Sequence, residues 1–257
     1  MATYSLKKSY QLKNLRETTF KDLWGDHGIF TTMWIFGKPV KILFFENHIN
    51  NLIKSLKNYG ISKKFLKKDI IKIINTNLLK DKKYNHLLRV ALNKQAISLS
   101  LRKRVTPKID FNLKLVNLRR EKPKYKNLKY KKILSHLAKL DNSRSDIGLV
   151  VNNKILETGT SNLLFVKKQK IFIPIKDYYE GNTYKYFKSK VKKILKKNIL
   201  IKELNEFEEI ILIGSGKGVT SVKSIKEIGW KRKSLNKFKE FSKYYRSAVK
   251  KCNPYKF

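Results

Sequence analysis

The sequence predicts an α+β protein of two lobes. Three observations carry this reading. Strand-like runs of β-branched and aromatic residues alternate with helix-period runs, without the even βαβ spacing of a doubly wound sheet. A connector at 105–110, carrying Pro107, separates two such sets. The 257 residues are 41% hydrophobic and 12% aromatic, enough for two modest cores. The boundary is expected near Lys108, giving a small α/β lobe over 1–108 and a larger lobe over 109–257.

Residues 28–36 (Gly-Ile-Phe-Thr-Thr-Met-Trp-Ile-Phe) read as a buried strand, and Gly37-Lys38-Pro39 turns into a second strand at 40–45. Ile49, Leu52, Ile53 and Leu56 recur at helical spacing, and Gly60 is a stop. A second helix is expected over 67–78, then strands at 87–92 and 96–101. Beyond the connector, 111–118 reads as a strand and 119–123 as a polar break. Tyr130, Ile133, Leu134, Leu137 and Ala138 mark an amphipathic helix. Strands follow at 147–151, 162–166 and 171–175. Tyr184, Phe187, Val191, Ile194 and Leu195 predict a helix running to Lys197. Strands at 209–213 and 219–222 flank Gly214-Ser215-Gly216-Lys217-Gly218, and a last helix is expected over 235–249.

Composition excludes several classes. The one cysteine, Cys252, rules out a disulfide framework and a cysteine-rich zinc site, and four scattered histidines predict no metal. No apolar run approaches the ~20 residues that span a bilayer. The start lacks the apolar segment of a signal peptide, so a cytoplasmic protein is expected. The net charge of +41 draws attention to nucleic acid. Yet 51 of the 60 basic residues are lysine and only 9 are arginine, the residue that base and phosphate recognition favours. The lysines are spread through every predicted helix, which reads as a solvated surface with incidental polyanion affinity.

Three segments can carry chemistry. Gly181-Asn182-Thr183 opens a predicted helix and offers free N–H groups to a phosphate, or is an ordinary N-cap. Loop 214–218 can close backbone N–H groups on an anion, or is a hairpin turn; it lacks the Walker ending. Glu157, in Leu156-Glu157-Thr158-Gly159-Thr160-Ser161-Asn162, can face a protonated heterocycle nitrogen, or sits in a solvated turn.

The combination resembles the class IV (fold type IV) pyridoxal-phosphate enzymes, which include D-amino-acid and branched-chain aminotransferases and aminodeoxychorismate lyase. Gly25-Asp26-His27-Gly28-Ile29-Phe30-Thr31-Thr32 resembles the family's Gly-Asp-Gly-x-Phe strand, with Phe-Thr-Thr closest to the lyase branch. His48-Ile49-Asn50-Asn51-Leu52 resembles His-Ile-x-Arg-Leu. Lys126-Asn127-Leu128-Lys129-Tyr130 and the Glu157 segment resemble the lysine-to-glutamate core, and Ile173-Pro174, Gly181-Asn182-Thr183 and 214–222 resemble the remaining signatures. The match covers roughly residues 20–225.

The resemblance implies a homodimeric enzyme holding pyridoxal 5'-phosphate and acting on a small anionic substrate. It implies that Lys126 is the Schiff-base lysine, with Lys129 its rival, and that Glu157 faces the pyridine nitrogen. Thr160, Asn182, Thr183, Ser215 and Gly216 are implied as further cofactor contacts. Arg119, or else Arg120, would approach the phenolic oxygen, and Phe30, Thr32 and Trp34 would look toward substrate. Aminodeoxychorismate lyase, releasing pyruvate and leaving 4-aminobenzoate for folate synthesis, is the branch expected; a D- or branched-chain aminotransferase is the alternative. A non-catalytic polyanion binder is a further one. The departures are specific. Asn51 stands where the family has a phosphate-binding arginine, which removes a bidentate contact that Lys54 could replace if it points inward. Tyr184 and Ser221 replace a family arginine and proline.

Overall fold

The computed structural model describes residues 4–257. These divide into two units. The first takes the chain up to Arg104 together with 125–131 and 251–257; the second takes 105–124 and 132–250. Two segments beyond the connector therefore return to the first unit, where one boundary near Lys108 leaves them in the second lobe.

The first unit forms β1 (Tyr4–Gln11), β2 (Glu17–Thr18), β3 (Gly28–Gly37), β4 (Lys41–Ile42), α1 (Phe45–Asn58), α2 (Leu66–Asn77), β5 (Tyr84–Asn93) and β6 (Ala96–Lys103). Its six strands make one antiparallel sheet in the order β2-β1-β6-β5-β3-β4. Alternation along β3 sorts its side chains. Ile29, Met33 and Ile35 enter a core shared with Ile49, Leu52 and Leu56 of α1 and Ile70, Ile73 and Ile74 of α2. Phe30, Thr32 and Trp34 take the other face.

One expectation changes here, and one strand was not expected. The strand expected at 40–45 shrinks to Lys41–Ile42, because Phe44 turns left-handed (φ 56°) to open α1, and Val40 and Leu43 are buried just outside the strand. β1 carries no clear hydrophobic alternation. It forms by pairing with β6, where Ser9 and Ser98 bring their hydroxyls to 2.8 Å.

The second unit continues with β7 (Asp110–Asn117), α3 (Lys131–Leu137), β8 (Ser145–Val151), β9 (Lys154–Thr158), β10 (Asn162–Lys167), β11 (Lys170–Pro174), α4 (Asn182–Lys188), β12 (Ile194–Lys197), β13 (Glu209–Gly214), β14 (Gly218–Ile225), β15 (Trp230–Lys231) and α5 (Asn236–Lys250). Its mixed sheet runs β12-β11-β10-β13-β14-β7-β8-β9, with β15 against β14. Phe111, Leu163, Phe165, Leu212 and Val222 build the core of one face with Phe207 and Trp230. Phe187 of α4 and Phe241 of α5 meet edge to face at 4.8 Å.

The helix expected to run to Lys197 ends at Lys188. Ile194 and Leu195 instead pair in parallel with Ile171 and Phe172, satisfying an edge of β11 that a longer helix would leave open. The segment leading into Glu157 is strand β9.

Candidate active site

In the first unit, the segment around Lys126 is laced onto the start of β3. Phe30 N–H donates to the Lys126 carbonyl at 2.9 Å, Leu128 N–H to the Gly28 carbonyl at 2.9 Å, and Gly25 N–H to the Leu128 carbonyl at 2.8 Å. This short antiparallel ladder, centred on the Ile29–Asn127 bridge, fixes where Lys126 emerges. Its Nζ lies 4.7 Å from the centre of the Phe30 ring. Lys126 is half-buried, whereas Lys129 is exposed.

Around Phe30 stands an aromatic cluster. Trp24 meets Phe30 edge to face at 4.8 Å and stacks on Tyr130 at 5.8 Å, and Tyr130 meets Phe30 at 5.5 Å. Arg89 lies over Trp24 at 4.3 Å. In the β3–β5 register Arg89 is opposite Thr32, so both share the face that carries Phe30. Its Nη2 binds the Asp22 side chain and, at 3.0 Å, the Asp22 carbonyl, and Nε donates to Ser100 Oγ at 3.2 Å. Its Nη1 is buried with no hydrogen-bond partner among the described residues. Burial pushes this guanidinium below its ordinary pKa, against the pull of Asp22. The motif series does not single out Arg89 as a site residue; an arginine in an otherwise apolar strand is the signal that points to it.

Trp34 is not brought to Lys126. It lies four residues beyond Phe30, about 13 Å at strand rise. There it donates to Asn85 Oδ1 at 3.0 Å and stacks on Phe36 at 4.3 Å. Thr31 points to the core side, where its hydroxyl meets His48 Nδ1 at 2.7 Å. Burial first, and Lys126 second, push His48 down to about 3. Asn51 is half-buried on α1, and Lys54 is exposed, so Lys54 does not take over the missing arginine's place.

In the second unit, Glu157 is buried at the end of β9, not in a solvated turn. Arg120, itself 5% exposed, grips it through Nε to Oε1 at 2.8 Å and Nη2 to Oε2 at 3.3 Å. Tyr179 N–H adds a bond to Oε2 at 3.2 Å. Arg119 has a different environment: it is exposed and pairs with Asp177 at 3.0 Å. Of the two arginines, Arg120 is the one beside the buried carboxylate.

Thr183 at the start of α4 has its hydroxyl buried without a partner among the described residues, and Ser161 does too. Asn182 is buried beside Thr183, while Ser215 and Gly216 are half-buried in the loop after β13. Asn162 orders the approach to α4, donating to the Tyr179 carbonyl at 2.6 Å and accepting from Gly181 N–H at 3.1 Å. α4 is only seven residues long, so hydroxyls and amides rather than a helix dipole make this seat polar. Thr160 is exposed and binds Asp146 and Lys217.

The family model for amino-transferase class IV matches residues 28–225. The chain belongs to that family. Among solved structures, a branched-chain aminotransferase from the archaeon Thermoproteus uzoniensis, solved with norvaline, superposes with TM-score 0.74 at 15% identity, covering 95% of each chain. The branched-chain amino acid aminotransferase of Thermobaculum terrenum, in its PLP-bound holo form, gives 0.72 at 17% identity, covering 94% of this chain and 93% of that one. A protein assigned as a 4-amino-4-deoxychorismate lyase from Legionella pneumophila gives 0.67 at 17% identity, covering 85% and 91%. No curated protein matches significantly. The fold is that of the fold type IV pyridoxal-phosphate enzymes, α+β with a small antiparallel lobe and a larger mixed one. No helix of the described residues is long and apolar enough to cross a membrane, and no cluster there could hold a metal.

The class IV cofactor needs an amine, a carboxylate and donors for a phosphate. The chain offers Lys126, a buried Glu157, and the unpartnered hydroxyls of Thr183 and Ser161. These residue types fit a phosphorylated pyridine aldehyde. The charged donor usual on α1 is the missing part, since position 51 is asparagine.

Proposed function

We propose that this chain is a pyridoxal-phosphate-dependent aminotransferase acting on a small carboxylate-bearing amino acid. The observation that carries the reading is the ladder that fixes Lys126 over Phe30. With 51 lysines in the chain, identity alone argues nothing, and this one is held by backbone bonds. When bound, the cofactor supplies an electron sink for charge released at the substrate's α-carbon. Lys126 holds and moves the proton at that carbon with Nζ. Glu157, anchored by Arg120 and Tyr179 N–H, is the residue that would hold the ring nitrogen in its protonated form. Thr183, Ser161, Asn182, Ser215 and Gly216 would hold the phosphate. Phe30, Trp24 and Tyr130 keep water from Lys126.

Aminodeoxychorismate lyase activity is the second reading. Phe30-Thr31-Thr32 favours it, but the bond to His48 gives Thr31 a structural role on the core face. A homodimer in the cytoplasm accompanies either reading as a proposal.

The test is borohydride reduction of the cofactor-loaded protein followed by peptide mapping. The label is expected on Lys126. A label elsewhere, or no visible absorbance at saturating cofactor, overturns the assignment. Glutamate formed from an amino donor and 2-oxoglutarate supports transamination. Pyruvate formed from aminodeoxychorismate without a keto-acid acceptor supports the lyase instead.

A further inference from the structure

Loop 214–218 is expected to meet phosphate through its backbone, yet it carries a lysine whose side chain is only 9% exposed. Lys217 Nζ donates to Asp146 Oδ2 at 2.8 Å and to Thr160 Oγ1 at 2.6 Å, and lies 5.1 Å from the centre of the Phe111 ring. Asp146, at the start of β8, is fully buried. Its Oδ1 accepts from Ile147 N–H at 2.8 Å, and its Oδ2 also accepts from the Thr158 and Thr160 hydroxyls, both at 2.8 Å. The Thr158 hydroxyl accepts in turn from Ser161 N–H at 2.8 Å and Thr160 N–H at 3.2 Å, closing the turn 158–161.

A fully buried carboxylate demands a paired cation. Here the cation comes from a different segment, 71 residues on in the chain. Two of the three ammonium N–H groups are committed and the charge is compensated, so Lys217 does not replace the arginine missing at position 51. Its bonds instead join two segments that carry candidate cofactor contacts. The turn 158–161 lies between Glu157 and Asn162; the loop holds Ser215 and Gly216. The two also pack without a gap: a β-carbon on Gly214 would lie 3.1 Å from Ser161 Oγ and 3.2 Å from the Thr160 carbonyl oxygen.

We infer that Lys217 is a positioning residue that, through Asp146, ties loop 214–218 to turn 158–161, so that the cofactor contacts on both are held in one fixed spacing. This rests on the cofactor reading above. It acts through backbone placement and touches no reacting atom.

Hydrogen exchange on the cofactor-free chain tests the tie directly. K217M should speed exchange in both 158–161 and 214–218 while leaving α1 unchanged. Because K217M leaves Asp146 charged and buried, the neutral pair K217M/D146N is measured beside it, and should show the same two segments loosened. In cofactor titrations both variants should bind pyridoxal phosphate and unphosphorylated pyridoxal more weakly by a similar factor, about tenfold, as for other supporting contacts. Unchanged exchange in the two segments overturns the inference. So does a loss confined to the phosphorylated form, which would make Lys217 a direct phosphate ligand. If the unaltered protein binds neither aldehyde, the cofactor reading fails, and the exchange result still decides whether the tie exists.

Discussion

Arg119 and Arg120 are neighbours in sequence with opposite energetic weight. Arg119 pairs with Asp177 in solvent, where an ion pair is worth about 0–1 kcal/mol. Arg120 and Glu157 are both nearly excluded from water, so removing the arginine strands a carboxylate. R120M should therefore cost about 3 kcal/mol or more in urea unfolding, and R119A less than about 1 kcal/mol. Equal losses would mean that Arg120 does not carry Glu157's charge. His48 gives a second expectation at this scale. It is neutral in the folded chain, pushed down to about 3 by burial and then by Lys126. Below pH 6.5 the unfolded chain takes up a proton that the folded chain refuses, so His48 costs stability as pH falls from about 6.5 to about 3, and nothing above that window. Between about pH 6.5 and pH 4.5 the unaltered protein should lose about 2 kcal/mol more than H48Q. Parallel pH curves for the two would refute the buried neutral imidazole.

Elements rather than residues decide where Lys126 stands. β3 begins at Gly28, where a β-carbon would sit 2.1 Å from the Leu92 carbonyl oxygen and 2.6 Å from Leu128 Cδ1. The strand on one side and the lysine segment on the other leave no room, so only glycine allows both to pair. G28A should push 125–131 away from β3, lowering stability by about 1–3 kcal/mol, and exposing the Phe30 and Leu128 amides to faster exchange. An alanine tolerated with unchanged exchange would mean the ladder can shift. This glycine was legible in the sequence as part of a motif, but its reason was not, because Leu92 and Leu128 are its neighbours in space and far from it along the chain. The same limit explains the other misses. β3, α1, α2 and β13 announce themselves by period and composition. β1 and β12 do not, since each is formed by an available partner rather than by its own hydrophobicity. Val191, Ile194 and Leu195 even continue the helical period of α4 by coincidence. In the candidate site, order and spacing single out Lys126 and Glu157 as candidates for the cofactor role. The partners that anchor them, the β3 ladder and Arg120, are not legible this way, because pairing between distant segments leaves no local periodic trace.

The whole molecule carries a net charge of +41, and this sets its behaviour in salt whatever its chemistry. With 60 basic against 19 acidic residues, cationic side chains outnumber the carboxylates that could answer them by 41. Self-repulsion of this kind opposes the compact state and is screened beyond about 10 Å at 0.1 M salt. Raising sodium chloride from about 0.02 M to 0.3 M should therefore raise Tm, whereas a protein held mainly by surface ion pairs would lose stability over the same range. The same field should retain the protein on DNA at the lower salt and release it steeply as salt rises, with no preference among sequences, since the binding is counterion release from phosphates. The two measurements together separate the readings of the charge. If DNA affinity survives about 0.3 M salt or discriminates between sequences, the lysines form a recognition surface and polyanion binding becomes a function in its own right. If it vanishes while cofactor loading of Lys126 persists, the charge is a property of the surface, and the chemistry lies with the half-buried lysine that β3 holds in place.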